Sequence, residues 1–201
     1  MPTPTYFNLP KEKREAIEQA SILEFANHTF SEASINQIVK ASNISRGSFY
    51  QYFEDKEDCY LHILTMIAKE KMKLFGTIVN RSEQDSIFDE YEQMLEATIE
   101  WIKQKPLYYQ MGMYMDMDDS EFIQKLIRRN QASMDYFIQL VKRDQDRGLI
   151  KSSINPVVLV DMLWSINRNT LMQFYLKQDF NGMRIHVKEM IAIIKGGAMY
   201  V

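Results

Sequence analysis

The sequence predicts an all-α protein, with an N-terminal three-helix head followed by a larger helical body. Apolar residues recur at spacings of three and four along most of the chain. Seven Gly and five Pro leave few breaks among 201 residues. Hairpin turn signals are almost absent, and the Asn181–Gly182 pair lies between two helical patterns.

Residues 11–30 read as the first helix, with Ile17, Ala20, Ser21, Phe25 and nearby Phe30 forming a broad inward stripe. Pro10 fits a first turn, where a missing N–H does no harm. Glu12, Glu15 and Glu18 lie toward the positive end of the helix dipole. Ser34 followed by Gln37 has the pattern of a capping box opening a second helix, whose Ile35, Ile38 and Val39 point inward. Asn43 occupies the following turn, where φ > 0 is expected, and Asn is the likeliest residue after Gly to adopt it. Ile44 then drops back toward the core, and Ser45 caps a third helix over roughly Arg46–Phe53.

That third helix divides cleanly. Phe49 and Phe53 point inward, while Arg46, Gly47, Ser48, Tyr50, Gln51 and Tyr52 are left outward. Gly47 inside a helix costs about 1 kcal/mol relative to Ala, which close approach to a phosphate backbone would explain. Gln51 has the reach to bond an adenine edge, and Ser48 and Tyr50 suit phosphate contacts. Asp55 with Asp58 reads as the cap of a fourth helix. Lys56 is poorly placed for that helix's dipole, but with the free N–H groups beside it could hold a phosphate. Singly, each residue fits ordinary capping in a small bundle. Together, Ser34–Lys56 has the layout of a helix made for the major groove of double-stranded DNA. Charge does not advertise it: the first 56 residues hold six Lys and Arg against seven Asp and Glu, and the whole chain carries −3.

From about Glu15 to Leu64 the chain resembles the N-terminal domain of the TetR family of transcriptional regulators. The residues that carry the resemblance are Ile17, Ala20, Phe25 and Phe30, then Ser34 through Ala41, and above all ISRGSFYQYFEDKE from Ile44 to Glu57. The resemblance implies that the third helix is a recognition helix. Ser45, Arg46, Gly47, Ser48, Tyr50, Gln51, Tyr52 and Lys56 then fall among the DNA contacts, with Ser34 on a phosphate. It also implies a homodimer on a near-palindromic operator and a body that binds a small-molecule effector. Three departures stand out: Thr29 and Asn43 replace frequent Gly residues, and Glu24 lies where an apolar residue is common.

The body continues as helices over 58–76, 87–104, from Asp119 or Ser120 to Arg147, from Asn155-Pro156 to about Phe180, and over 183–198, with 80–86 as a loop and Tyr108–Met117 as a short, strongly apolar segment. Gly148 reads as a C-cap. The last two helices are strongly apolar and could pair across a two-fold axis through Val160, Leu171, Phe174, Val187, Met190, Ile191 and Ile194, or simply build a monomeric core. Met111, Met113, Met115 and Met117 alternate near Tyr108, Tyr109 and Tyr114, which suits either an adaptable apolar pocket or core packing. Candidate ligand residues are Trp101, Met111, Tyr114, Tyr136, Trp164, Asn167 and Arg168. Asp161, Asn167 and Arg168 equally suit a dimer contact.

The expected division is therefore a helix-turn-helix head at 1–57 and an effector-binding and dimerisation domain at 58–201. The expected function is a ligand-responsive regulator, a repressor by the commoner behaviour of the family, released by a hydrophobic or aromatic effector. Competing readings are a helical protein–protein module and, more remotely, a helical-bundle enzyme. His28, His62 and His186 are far apart and none belongs to a Glu-x-x-His pair; no glycine-rich phosphate loop is present. A lone Cys59 allows no internal disulfide, and Cys is too scarce for a metal centre; no metal or cofactor is expected. Uncharged runs reach only about ten residues and the N-terminus lacks signal-peptide order, so a cytoplasmic protein without a membrane partner is expected.

Overall fold

Amphipathic periodicity resolves into helices throughout the computed structural model, which describes residues 1–78, 82, 84–129 and 131–199. In chain order these are α1 Pro4–Phe7, α2 Lys11–Asn27, α3 Ile35–Ala41, α4 Arg46–Tyr52, α5 Lys56–Ile78, α6 Ile87–Gln104, α7 Pro106–Met117, α8 Glu121–Arg129, α9 Gln131–Asp146, α10 Pro156–Leu176 and α11 Phe180–Ala198. The chain forms two compact units, Met1–Leu74 with Trp101–Ile127, and Phe75–Glu100 with Arg128–Val201. No described helix is long and apolar enough to cross a membrane.

In the first unit α2, α3 and α4 close around Ile17, Phe25, Ile38, Phe49 and Phe53, all essentially solvent-free. Cys59 lies in this core against the Ser21 hydroxyl at 3.4 Å, and burial pushes its thiol up to about 12. The angle between α3 and α4 is set by a tight left-handed turn. Asn43 takes φ 53°, its N–H donates to the Lys40 carbonyl at 3.3 Å, and Ile44 N–H donates to Val39 at 3.0 Å. Two carbonyls at the end of α3 are thereby satisfied. Asp55 caps α5 by accepting the Asp58 N–H at 2.8 Å, while Asp58 accepts the Glu54 N–H at 3.2 Å. α7 packs along α2.

The capping box at Ser34–Gln37 does not form: Ser34 holds the N-cap position, but its side chain makes no cap bond. Its N–H instead donates to the Glu24 carboxylate at 2.8 Å, so α2 closes this end of the structure from outside the local sequence. Nor does sequence pattern announce α1, which is too short to show a period.

In the second unit Asp144 is fully buried and accepts from the Ile87 N–H at 2.7 Å, Arg143 at 2.9 Å and Arg147 at 3.1 Å. It serves both as a cap for α6 and as an ion-pair centre. Glu90 extends the network to Arg143 and to the Tyr136 hydroxyl, each at 3.0 Å. Gly148 ends α9 with φ 71°, and Asn155 caps α10 through the Val157 N–H at 2.9 Å, both as expected. The expected long helix from 119 or 120 to 147 is helical over Glu121–Arg129 and Gln131–Asp146, and Asn130 lies outside the described residues. α10 ends at Leu176 rather than near Phe180, because Gln178 adopts φ 55° in a turn of the same kind as that at Asn43, without Gly or Asn to signal it. Asp179 then caps α11 through the Gly182 N–H at 2.8 Å.

Two stability measurements follow from these junctions. Asp144→Ala should lower unfolding stability by about 1–3 kcal/mol, since it strips a buried cap from the Ile87 N–H and removes one carboxylate from two guanidinium groups; urea titration reads this, and a loss near zero would contradict it. Asn43→Gly should be close to neutral, whereas Asn43→Val should cost about 1–2 kcal/mol, because a β-branched residue resists positive φ.

Candidate nucleic-acid interface

The head turns α4 outward on a fixed base. Phe49 and Phe53 seat it in the core, and Ser45 accepts the Ser48 N–H at 3.0 Å at its N-terminus. Ser45, Arg46, Gly47, Tyr50 and Gln51 are exposed, and Ser48 is half-buried with its hydroxyl 2.9 Å from that of Ser45. Arg46 reaches between helices, donating to Asn36 Oδ1 at 2.7 Å and to the Tyr50 hydroxyl at 3.4 Å. Its guanidinium carbon lies 5.8 Å from the Tyr50 ring centroid.

Among the described residues no steric crowding requires a glycine at Gly47. Its backbone is helical, and an added Cβ would meet only Ser45 Oγ at 3.8 Å, an ordinary contact. Gly76, Gly112, Gly196 and Gly197 are equally uncrowded in their helices, and Gly47 differs from them in lying on the exposed face of α4 beside Arg46 and Tyr50.

Beside α4, a cleft of about 350 Å³ opens at the start of α3, lined by Glu32, Ser34, Ile35, Asn36, Arg46 and Lys56 among others. Lys56 is less available than its sequence position suggests. Its ammonium donates to the carbonyls of Ala33 at 2.9 Å and Ser31 at 3.3 Å, and lies 4.6 Å from the Phe30 ring centroid. Burial pushes its pKa down, against the raising pull of Asp118 and Glu24. Lys56 therefore fastens the turn before α3 while lining the cleft.

Tyr52 has to be moved from the outer face to the core. It is only 4% exposed, against 45% for Tyr50. The cause is α1, which lies against α4 and brings the Tyr6 ring within 6.4 Å of the Tyr52 ring. Glu24 and Asp118 are participants that the sequence did not disclose. Asp118 is buried and accepts both the N–H and the hydroxyl of Ser31, at 2.8 and 3.0 Å. Phe122, in the same unit, stacks near Phe30 at 4.5 Å. Each is a long-range partner of the turn before α3, and no local pattern marks such residues.

The body residues behave less uniformly. Trp101, Met111 and Tyr114 belong to the first unit, and Tyr136, Trp164, Asn167 and Arg168 to the second. Trp101 and Met111 are buried, Tyr114 and Trp164 half-buried, and the Tyr136 hydroxyl is bonded to Glu90. The side chains of Asn167, Arg168 and Leu171 lie outside the described residues. Of the expected dimer residues, Val160, Val187 and Ile191 are buried inside the chain's own α10–α11 packing and cannot face a partner. Phe174, Met190 and Ile194 are half-buried. The open apolar face takes in Met190 and Ile194 of that set together with residues outside it. A cleft of about 510 Å³ runs between Val158, Met162 and Ser165 of α10 and Met190, Ile193 and Ile194 of α11, with Ile193 76% exposed. With both faces of these helices apolar, periodicity alone could not say which turned inward.

Residues 18–63 match the family model described as bacterial regulatory proteins, tetR family. Over 91 residues the chain is 32% identical to the uncharacterized HTH-type transcriptional regulator YuxN of Bacillus subtilis (strain 168), a match covering 45% of this chain and 30% of that protein's length. Among solved structures, a TetR family transcriptional regulator from Chloroflexus aurantiacus J-10-FL superposes with a TM-score of 0.80 at 26% identity, covering all of both chains. The transcriptional regulator FadR of Bacillus subtilis, solved with stearoyl-CoA, shares the fold at TM-score 0.71 and 14% identity, over 88% of this chain and 96% of that one. The chain therefore resembles the TetR family over its helix-turn-helix head, residues 18–63, and shares its fold from end to end with one TetR family regulator.

Proposed function

We propose that the protein is a ligand-responsive repressor that binds a near-palindromic DNA operator as a homodimer. The observation that carries this is the outer face of α4, an exposed helix clamped at its N-terminus and from beneath, which presents Arg46, Gly47, Tyr50 and Gln51. In this reading α4 enters the major groove with Gln51 on a base edge, and Gly47 lets the helix approach the phosphate backbone. Ser34, Ser45, Arg46, Ser48 and Tyr50 hold phosphates, the first from the α3 cleft, and Lys56 acts chiefly by fixing that cleft.

The second copy docks on the α10–α11 cleft around Val158, Met162 and Ile193, a surface too apolar to be explained by scattered exposure. Two heads then meet half-sites about 34 Å apart or a multiple of that distance. The division of labour is a DNA-binding head at 1–57 and an effector-binding and dimerisation region at 58–201, working in the cytoplasm. Trp101 supports an effector that is apolar but carries a hydrogen-bond acceptor. The ring is 5% exposed, its indole N–H has no partner among the described residues, and the Lys71 ammonium lies 4.8 Å from its ring centroid. The effector releases the operator by shifting α5, the helix that follows the head.

Gly47→Ala separates DNA binding from a merely structural head. It should raise fold stability by about 0.5–1 kcal/mol while weakening duplex binding on the order of tenfold or more, read by thermal unfolding and fluorescence anisotropy. Unchanged affinity would remove the proposed close approach. Arg46→Ala should weaken all duplexes and reduce the salt slope by about one, whereas Gln51→Ala should chiefly relax preference at one base position per half-site. Ile193→Lys should yield monomers in sedimentation and lose operator affinity; a dimer that survives it would place the interface elsewhere.

A further inference from the structure

The end of the recognition helix is held by a segment far from it in sequence. α4 has only seven residues, and the Phe49 carbonyl already accepts the Phe53 N–H at 2.9 Å. The carbonyls beyond it have no partner within the helix. Two of them are met by one residue. Thr3 N–H donates to the Tyr52 carbonyl at 2.9 Å, and the Thr3 hydroxyl donates to the Gln51 carbonyl at 2.6 Å.

This use of Thr3 is unusual for its position. It stands at the N-cap of α1, where a threonine hydroxyl ordinarily accepts an N–H of its own helix. Here it makes no such bond, and is committed instead to α4. The arm that carries it is firmly anchored. Tyr6 is buried, its ring lies 5.1 Å from Phe53 and 5.0 Å from His62, and its hydroxyl donates to Glu18 Oε1 at 2.7 Å. The Lys13 ammonium, 5.9 Å from the Tyr52 ring centroid, adds a cation near the negative end of α4.

We propose that Thr3 is a positioning residue for base readout, gripping the last turn of α4 through the Gln51 carbonyl and so fixing the pose from which the Gln51 side chain reads DNA. This rests on the role given to Gln51 above. The grip is local and partly exposed, so it contributes little to global stability. Its effect falls on geometry, where a small shift of a short helix moves a long side chain out of register with a base edge.

The test is a double-mutant cycle on the full chain, using a duplex selected by the wild-type protein and its single-base variants. Thr3→Val keeps the shape and the backbone N–H bond but removes the hydroxyl donor. It should reduce discrimination at the position read by Gln51 by about three- to tenfold, the span of one net hydrogen bond, and leave other positions and the melting temperature nearly unchanged. Thr3→Ser should restore it. In a Gln51→Ala background Thr3→Val should cause no further loss of discrimination. A uniform loss at all positions, or an equal loss in both backgrounds, would overturn the proposal and leave Thr3 as a general stabiliser. If Thr3→Val changed nothing while Gln51→Ala relaxed one position, the proposal alone would fail. If Gln51→Ala relaxed no position, the role of Gln51 would fail and the proposal with it.

Discussion

A helix of two turns cannot hold itself, and the head is organised around that constraint. Short helices are marginal in water because nucleation fixes many dihedrals for few hydrogen bonds. α4 persists because Ser45 caps its N-terminus and Phe49 and Phe53 seat it from beneath, while Thr3 fixes the pose of its last turn. The fixed turn at Asn43 then sets its angle to α3. With those sides committed, the remaining face is free to carry residues chosen for something other than stability, Gly47 among them.

The same logic governs the neighbouring cleft. The turn before α3 is tied down by charged groups that reach it from three different helices or their ends: Glu24 on α2, Lys56 on α5 and Asp118 after α7. Burying carboxylates and an ammonium together costs desolvation, which hydrogen bonds to backbone N–H and carbonyl groups offset. The result is a stiff turn that presents Ser34 and Asn36 beside Arg46. Asp118, which follows α7, bonds Ser31 directly and so ties the end of α7 to this turn within one compact unit.

What the sequence disclosed and what it hid divide along the range of the interactions. Ser45, Asn43, Gly148 and the Asp55–Asp58 pair act on backbone a few residues away, so residue type and spacing were enough to place them. Glu24 read as a departure from pattern, because the N–H it satisfies is ten residues distant. Tyr52 read as an outward residue since its cover, α1, is too short to show a helical period. Asp144 carries no local pattern that marks it, although it is the buried centre of the second unit. At the end of α10 the chain turns through Gln178 at positive φ, where only Gly or Asn would have given warning. The expected dimer residues divide for another reason: α10 and α11 are apolar on more than one face, so Val160, Val187 and Ile191 pack within the chain while Met190 and Ile194 line the open cleft.

The central claim is that the outward face of α4 reads duplex DNA as one half of a two-fold pair. Sequencing the duplexes that the full-length protein enriches from a random library, without effector, tests it most directly. The account predicts a near-palindrome whose half-sites are centred about one helical turn apart, or a multiple of it. Enrichment of no duplex, or of single unpaired sites bound by a monomer, would contradict it.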